Sequence, residues 1–424
     1  MFISYKYFRL GAIEKMKVLY VSATLPPEGM ATAGIVGNLM LEMKKMGMSV
    51  TGLTFKRSMR DSDFSKWNEI TISHADYIRD YGYKCKSIGD CIFKIKRKAF
   101  DTLHLGDGYP YRELAVDALV RSLDRMNADT NYDCIISVAA FYDSAEAVIR
   151  YRKSVKGKAK YVFYQLDPLQ ENLAFKAINP NWLERYEKSL YSQYDLVFTT
   201  REIYQLKVNK KWMLSNVVAV DYPCVDLQMS NFQGSKIKQG KEIRCVYAGQ
   251  LNDQIRDATK VMEVLSCVNI PEISFYFIGE GQESLLQSYR NGLLKDHLYI
   301  LGRVPEMECE DWISSADFLL IIGNNVPTQV PSKVFSYMSY GIPIIATCKL
   351  KECPTRRYLQ MIPNALIVDE FDDTRKIARK IEKHIRNYMG SRLSSEQINS
   401  YANMYTPEKV ASYMLDNING GKRE

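Results

Sequence analysis

The 424-residue sequence lacks the usual marks of metal-binding, disulfide-rich and membrane-spanning proteins. It has only 4 histidines, none of them at a metal-ligand spacing, and its 9 cysteines form no CxxC pair. An odd number of cysteines without such a pair favours buried reduced thiols over a disulfide framework or a zinc site. We therefore expect no disulfide scaffold, no metal and no resident cofactor.

Long apolar segments are absent as well. Runs such as DFLLIIG and IPIIA are far shorter than the roughly 20 apolar residues that cross a bilayer. The start of the sequence has no apolar signal-peptide core, which favours a cytoplasmic protein. Residues 1–15 precede the strand-like run MKVLYVS and are expected to form an N-terminal tail.

The sequence has a net charge of +8, and positive charge is most concentrated in residues 84–100. There, lysines and an arginine interleave with isoleucines and phenylalanines. Such mixing suits contact with an anionic membrane surface, and a solvated surface helix is an equal alternative. No helix-turn-helix, zinc-finger or RNA-binding aromatic motif accompanies the charge, so the sequence does not favour a nucleic-acid partner.

Strand-like and helix-like segments alternate along the chain. KVLYVSA is a continuous apolar run, typical of a strand buried on both faces. LPPEGMATAG interrupts the run, and apolar residues then recur at helical spacing until Gly47. SVTGLTF resumes as a strand and completes a βαβ unit. Continued alternation predicts an α/β protein with parallel sheets covered by helices on both faces.

The length predicts two domains of about 200 residues each. We predict a tail at 1–15, a Rossmann-like domain at 16–228, a polar linker at 229–240, a second Rossmann-like domain at 241–400 and a C-terminal helical segment at 401–424. Ligands of doubly wound sheets bind at the carboxyl ends of the strands, so a cleft between two facing domains is the expected site.

The stretch VPSKVFSYMSYGIPIIAT at 330–347 predicts a short helix that begins beside a lysine. Positive charge is unfavourable at a helix N-terminus, so Lys333 needs an explanation. The backbone N–H groups of Ser332, Lys333 and Val334 would be unpaired there and would form an anion site. A bound diphosphate would explain the lysine, and a merely solvated lysine beside an end-of-helix serine is the alternative.

A second cation follows an earlier strand. The strand ends at Gly249, and QLNDQIRDATKV then places Arg256 directly before Asp257, a candidate helix N-cap. A guanidinium can grip phosphate oxygens through two hydrogen bonds. Arg256 and Lys333 could therefore clamp a diphosphate and stabilise it as a leaving group. A surface salt bridge from Arg256 to Asp253 or Asp257 is the alternative.

Asp167 is a third candidate, since it follows the strand-like run YVFYQL in the first half of the chain. A carboxylate at the carboxyl end of a strand could act as a general base toward an acceptor hydroxyl. An ordinary Asp-Pro turn with Pro168 is the alternative.

These motifs together resemble the GT-B glycosyltransferases, in particular the retaining enzymes that build bacterial surface polysaccharides. The resemblance covers nearly the whole chain from Met16. It is carried by MKVLYVSATLPPEGMATAG, YAGQLNDQIRD, FIGEGQESLL, LYILGRVP followed by WISSADFLLI, and VPSKVFSYMSYGIPII. It implies transfer of a sugar from a nucleoside-diphosphate-sugar donor to a hydroxyl of a glycan or lipid-linked acceptor, without a metal and with retention.

The resemblance also implies roles for individual residues. Arg256 and Lys333 match diphosphate contacts, and Arg303 and Val304 match base contacts. The C-terminal INSYANMYTPEKVASYMLDNI resembles a helix that crosses back to the first domain. Further positions are implied at the nucleotide-sugar site and, through close backbone approach, on the acceptor side: Gly249, Ser332, Val334 and Ser336 at the former, Gly29 and Gly34 at the latter.

One departure from the family pattern concerns the donor sugar. Many relatives carry two glutamates where this sequence has Thr328 and Ser336. The first glutamate usually contacts sugar hydroxyls and the second the ribose, so both of those contacts are in doubt here.

Three other functions fit parts of the pattern. A nicotinamide-dependent oxidoreductase needs a GxGxxG turn after the first strand and an acidic end to the second, and this sequence has neither. A non-catalytic two-lobed binding protein would normally carry an export signal. A sugar-nucleotide epimerase of the same fold would also clamp a diphosphate and is the strongest alternative.

Overall fold

The structure, a computed structural model, describes most of the chain. The described residues are 15–26, 31–56, 67–78, 91, 95, 99, 109–139, 142–155, 157–172, 175, 178–231 and 241–420. Gly29, nearly all of the predicted tail, most of the basic segment 84–100 and most of the predicted linker lie outside these residues, and the predictions made for them stay predictions.

The chain divides into two compact units. The first contains the residues up to Thr199, together with Leu214–Val218 and the residues from Leu415 onward. The second contains Thr200–Met213 and Ala219–Met414.

The first sheet has seven strands in the described part of the chain. They are β1 (Lys17–Ser22), β2 (Ser49–Lys56), β3 (Thr71–Ile78), β4 (Cys134–Ala139), β5 (Lys160–Gln165), β6 (Leu196–Thr200) and β7 (Val217–Val220). The order across the sheet is β3-β2-β1-β4-β5-β6-β7, and β1 to β6 pair in parallel. The strand order therefore reverses between β1 and β4.

Helices connect these strands. They are α1 (Ala31–Lys45), α2 (Glu113–Thr130), α3 (Asp143–Ser154), α4 (Pro180–Tyr191) and the short α5 (Arg201–Ile203), which continues into a π-helical segment, Tyr204–Trp212. The apolar spacing that predicted a helix ending near Gly47 is confirmed by α1. β3 was not predicted because its sequence, TISHADYI, lacks the continuous apolar run of the central strands.

The second sheet has six strands, all paired in parallel. They are β8 (Ile243–Ala248), β9 (Ile273–Ile278), β10 (Leu298–Gly302), β11 (Phe318–Ile322), β12 (Ile344–Cys348) and β13 (Ala365–Asp369). The order is β10-β9-β8-β11-β12-β13, so the reversal falls between β8 and β11.

The connecting helices are α6 (Thr259–Leu265), α7 (Glu283–Arg290), α8 (Glu306–Ser314), α9 (Lys333–Met338), α10 (Pro354–Leu359) and α11 (Thr374–Tyr388). They are followed by α12 (Ser395–Ala402) and α13 (Pro407–Ile418). In the first unit, the Lys160 ammonium donates hydrogen bonds to the backbone oxygens of Asn417 and Ile418 at the end of α13.

Burial explains why the central strands read as unbroken apolar runs. Every residue of β4, β8, β9 and β11 is buried, because helices cover both faces of a parallel sheet. The predicted fold class, two Rossmann-like domains of doubly wound sheet, is confirmed by this architecture.

Two glycines of the FIGEGQ turn allow the ends of β8 and β9 to pack closely. Gly279 has φ +125° and Gly281 has φ +104°. A Cβ on Gly281 would lie 2.0 Å from the backbone oxygen of Leu251, and one on Gly279 would lie 2.2 Å from that of Gly249. Because they have no side chain, these two glycines allow the backbone after β9 to pack directly against the turn after β8.

Replacing Gly281 by alanine is expected to destabilise the second unit by more than the conformational penalty alone. Gly390 is a matched control, since it also has a positive φ of +73° but no atom within 4 Å of an added Cβ. Gly390→Ala should cost about 1–2 kcal/mol of unfolding free energy, and Gly281→Ala about 1–3 kcal/mol more through overlap. Urea denaturation of both variants measures the difference, and equal losses would contradict the packing role.

Candidate functional site

Arg256 lies in a tight turn between β8 and α6. Its backbone N–H donates to the Asn252 oxygen at 2.7 Å, and the Asn252 N–H donates to the Arg256 oxygen at 3.0 Å. This pair of bonds forms an isolated antiparallel bridge and holds Arg256 near the carboxyl end of β8.

The Arg256 guanidinium is held by two neutral oxygens. Its Nε donates to Asn324 Oδ1 at 3.0 Å, and one terminal nitrogen donates to the Gln250 backbone oxygen at 3.3 Å. No carboxylate of the described residues forms an ion pair with it. None of the described residues therefore neutralises this positive charge.

This geometry does not support the alternative of a salt bridge to Asp253 or Asp257. Asp257 instead accepts hydrogen bonds from the backbone and hydroxyl of Thr259 and from Gln282. Burial raises the pKa of Asp257, but these hydrogen bonds outweigh burial and hold the pKa below its ordinary value. The N-cap of α6 is Ala258, one residue later than the predicted N-cap, Asp257.

The turn that carries Arg256 is also joined to the loop after β11. The Asn325 N–H donates to the Ile255 oxygen at 2.9 Å, and its side-chain amide donates to the Gln254 oxygen. β8 and β11 are neighbours on the two sides of the strand-order reversal. Ligands of doubly wound sheets bind at such a reversal, beyond the carboxyl ends of the strands.

Lys333 is the first residue of α9, which follows the β11 loop. Its ammonium lies 5.9 Å from the centre of the Tyr337 ring. The Tyr337 hydroxyl accepts a hydrogen bond at 3.0 Å from the N–H of Ala248, the last residue of β8. Among the residues the structure describes, no carboxylate pairs with Lys333. The structure thus places Arg256 in the turn after β8 and ties the helix of Lys333 to the end of the same strand through Tyr337. Neither cation has a carboxylate partner among the described residues.

The start of α9 differs in one respect from the prediction. The Val334 N–H is not unpaired, since it donates to the Pro331 oxygen at 3.0 Å. This bond closes the first turn of the helix, as commonly happens at helix ends. Ser332 is the N-cap, and its side chain makes no capping hydrogen bond. Because α9 has only six residues, its N-terminus alone is not assigned as an anion site. The positive charge considered for the candidate site is that of Arg256 and Lys333.

The other predicted nucleotide-sugar positions lie on the same sheet edge or near it. Gly249 directly follows β8, and a Cβ there would lie 3.0 Å from the Tyr247 hydroxyl and 3.7 Å from a terminal nitrogen of Arg256. Arg303 and Val304 follow β10, with Arg303 exposed and Val304 partly buried. Ser336 is partly buried in α9, and its hydroxyl lies 3.5 Å from the Lys333 oxygen.

Thr328 stands where many relatives have a glutamate. It is 2% exposed, and within the described residues its hydroxyl has no hydrogen-bond partner. A buried hydroxyl without a partner is unfavourable, so an outside group could bind there.

Asp167 lies in the first unit, two residues beyond β5. The loop that carries it is held by the buried carboxylate of Glu187, which accepts from the Leu169 N–H at 2.8 Å. Glu187 also accepts from the Tyr142 hydroxyl at 2.8 Å and from Gln165. The buried hydrogen-bond network around Glu187 therefore holds this loop in place.

Gly34, predicted on the acceptor side, is a helical residue of α1 in the first unit. An added Cβ would meet no atom within 4 Å. The space beside this glycine is therefore open, and its predicted role stays a prediction.

Several residues that hold the site were not identified from the sequence. Asn324, Tyr337 and Glu187 each depend on contacts between distant segments, such as the 68 positions that separate Arg256 from Asn324. Gln250 is only six positions from Arg256, but it contributes a backbone oxygen, which no side-chain pattern reveals. A sequence signal for Asn324 existed, since two asparagines follow a buried strand after one glycine, but nothing in the pattern linked Asn324 to Arg256.

The described residues contain neither a metal-ligand cluster nor a membrane-spanning helix. No group of three or more His, Cys, Asp or Glu side chains there could hold a metal ion. No helix in the same part of the chain has the length and apolar character that a membrane span requires.

A family model supports the functional class. Residues 242–387 match the model described as Glycosyl transferases group 1. This segment contains all six strands of the second sheet and both Arg256 and Lys333. The match confirms the predicted enzyme class, a glycosyltransferase. No curated protein matches the chain in sequence.

Solved structures are similar over nearly the whole chain. Sucrose-phosphate synthase from Thermosynechococcus elongatus aligns with a TM-score of 0.68 at 12% identity, covering 96% of this chain and 98% of that one. WaaG, a glycosyltransferase involved in lipopolysaccharide biosynthesis, aligns with a TM-score of 0.59 at 9% identity, covering 95% of this chain and 100% of that one. UDP-GlcNAc 2-epimerase from Neisseria meningitidis, bound to UDP-GlcNAc, aligns with a TM-score of 0.56 at 13% identity, covering 95% of this chain and 99% of that one. At these identities the likeness establishes the GT-B fold alone.

The environment of Asp167 leads to a prediction about pH. Desolvation raises the pKa of its carboxyl group to about 6, although the side chain is exposed. Because the side chain is exposed, contact with water makes the rise in pKa smaller than full burial would. The carboxylate is therefore ionised at pH 7.

A raised pKa in the folded state means that the folded protein holds this proton more tightly than the unfolded chain does. The stabilising contribution is present below pH 4 and is lost as the pH rises toward 6. Asp167→Asn should therefore be less sensitive to that rise than the wild type when unfolding free energies are compared from pH 4 to 7. Parallel curves for the two proteins would show that the pKa is not raised.

Proposed function

We propose that the protein transfers a sugar from a nucleoside-diphosphate-sugar to a hydroxyl of a glycan or lipid-linked acceptor, without a metal and with retention of configuration. The observation that carries the proposal is a pair of cations, one in the turn after β8 and one at the start of α9, the helix that follows the β11 loop. Arg256 and Lys333 each lack a carboxylate partner among the described residues, and both belong to segments that meet at the strand-order reversal.

A pair of unneutralised cations suits a diphosphate leaving group. When the glycosidic bond to the donor breaks, negative charge accumulates on the departing nucleoside diphosphate. Fixed positive groups that need no rearrangement stabilise this charge in the transition state more than in the ground state. Such a clamp can replace the divalent cation that other transferases use, which supports metal-independent transfer.

The remaining groups of the site have defined parts in this proposal. Arg303 and Val304, at the end of β10, would contact the nucleotide base, and Thr328 would offer its buried hydroxyl to the donor. In a retaining reaction the donor phosphate itself can accept the proton of the acceptor hydroxyl. Asp167 would then bind and orient the acceptor rather than act as an obligatory base.

The similar structures support the choice of donor and acceptor class. One of them is bound to UDP-GlcNAc, and another takes part in lipopolysaccharide biosynthesis. We therefore propose a sugar nucleotide as donor and a surface-glycan precursor as acceptor.

Removing either cation should impair donor use strongly. Arg256→Ala and Lys333→Ala each delete a charge-assisted contact worth about 1.5–3 kcal/mol, which corresponds to a loss of about 10- to 100-fold in kcat/KM for the donor. Release of UDP from a UDP-sugar in the presence of acceptor measures the loss. Thermal unfolding should be nearly unchanged, because neither side chain is part of the buried core.

Lys260→Ala is the control for this experiment. Lys260 is a cation of the same unit that already pairs with Glu263 at 3.2 Å and with Thr374. Its removal should leave donor use intact. Normal turnover in both Arg256→Ala and Lys333→Ala would refute the diphosphate clamp.

The epimerase alternative is supported by one observation, the similarity to a UDP-GlcNAc 2-epimerase. The two functions differ in their products, since a transferase needs an acceptor and an epimerase changes the sugar alone. Proton NMR of the wild-type protein with UDP-sugars should show acceptor-dependent UDP release that survives excess chelator. A change of sugar configuration without acceptor would favour the epimerase, and loss of transfer on chelation would contradict metal independence.

A further inference from the structure

Arg256 differs from several arginines of the described chain in having no carboxylate partner among the described residues, a feature that it shares with Arg125 and Arg392. Arg201 binds Asp221 through two hydrogen bonds of 2.9 and 2.8 Å, and buried Arg112 is paired with Asp143. Arg244 likewise pairs with a glutamate. Arg256, in contrast, is held by neutral oxygens of the described residues, an amide oxygen and a backbone oxygen, with the Tyr247 hydroxyl beside it.

This difference has a direct electrostatic consequence. A carboxylate fixes a guanidinium but cancels its charge, which weakens the attraction for any further anion. An amide oxygen fixes it through a hydrogen bond and leaves the full charge available. The neutral partner of Arg256 therefore suits an arginine that must be both immobile and positively charged.

Asn324 is well placed to act as that neutral partner. It is 4% exposed and lies two residues beyond β11, so its own side chain is fixed by packing. Its Oδ1 accepts from Nε, the inner nitrogen of the guanidinium, at 3.0 Å. A bond to Nε sets the plane of the fork, and a terminal nitrogen away from this bond can still reach a ligand.

We propose that Asn324 is a positioning residue that orients Arg256 toward the diphosphate of the donor while leaving its charge uncancelled. The inference rests on the proposed function, since it requires that Arg256 bind the donor. Asn324 itself makes no contact with the donor in this proposal, and it acts only through Arg256.

The neighbouring Asn325 provides a matched control. It joins the same two loops through its backbone bond to Ile255 and its side-chain bond to Gln254, without touching the guanidinium. If Asn324 merely held the loops together, Asn325→Ala should have a similar effect on donor binding.

A double-mutant cycle tests the inference. The dissociation constant of UDP is measured by calorimetry for the wild type, Asn324→Ala, Arg256→Ala, the double variant and Asn325→Ala. We expect Asn324→Ala to weaken UDP binding by about fivefold to tenfold and Arg256→Ala by about 10- to 100-fold. In the Arg256→Ala background, loss of Asn324 should have no further effect, and Asn325→Ala should bind UDP nearly as the wild type does.

Each other outcome decides against the inference. Additive losses in the cycle, or an equal loss in Asn325→Ala, would show that Asn324 acts on the loops and not through Arg256. If Arg256→Ala binds UDP normally, the clamp itself is wrong, and this failure of the proposed function is recognised by the single variant alone. If Asn324→Ala does not fold by circular dichroism, Asn324→Ser replaces it in the same cycle.

A charged replacement gives a second, independent readout. Asn324→Asp keeps the shape and the hydrogen bond to Nε but adds a carboxylate that pairs with the guanidinium. UDP binding should fall by about tenfold or more, and it should depend less on salt concentration than in the wild type. Binding equal to that of the wild type would show that the neutrality of Asn324 has no role.

Discussion

The central constraint in the second unit is that two cations are held in place without a carboxylate partner among the residues that the structure describes. Arg256 and Lys333 are fixed through an amide oxygen, a backbone oxygen and an aromatic ring. A partly buried positive charge without a counter-ion is unfavourable in a folded protein unless an anion is supplied. This unfavourable electrostatic energy is located where the strand order reverses, between β8 and β11. Doubly wound sheets bind their ligands at that position.

The rest of the second unit can be understood as support for this arrangement. The glycines of FIGEGQ let the turn after β8 pack against the end of β9, with contacts that no side chain would permit. Asn325 joins that turn to the loop after β11, and Tyr337 ties α9 to the end of β8. Three separate segments of the chain are thereby fixed around one edge of the sheet. In the first unit, Glu187 fixes the loop of Asp167 in a comparable way.

The sequence predicted much of the fold because its signals are local. Continuous apolar runs in β4, β8 and β11 indicated strands buried on both faces, and alternation with helical spacing indicated doubly wound sheets. The sequence also pointed to Arg256, a cation that follows a buried strand, and to Lys333, a cation at the start of a predicted helix. It could not predict Asn324 or Tyr337 as their partners, because those contacts depend on tertiary packing. The unpaired amide expected at Val334 was wrong for a related reason, since the first turn of α9 closes on Pro331.

The most direct test of the account is a crystal structure of the protein with UDP. The account predicts that the diphosphate lies beyond the carboxyl ends of β8 and β11, with its oxygens within hydrogen-bond distance of the Arg256 guanidinium and the Lys333 ammonium. Asn324 should still accept from Nε of Arg256 in that complex. A nucleotide bound with its phosphates elsewhere, or with either cation turned to solvent, would contradict the central claim.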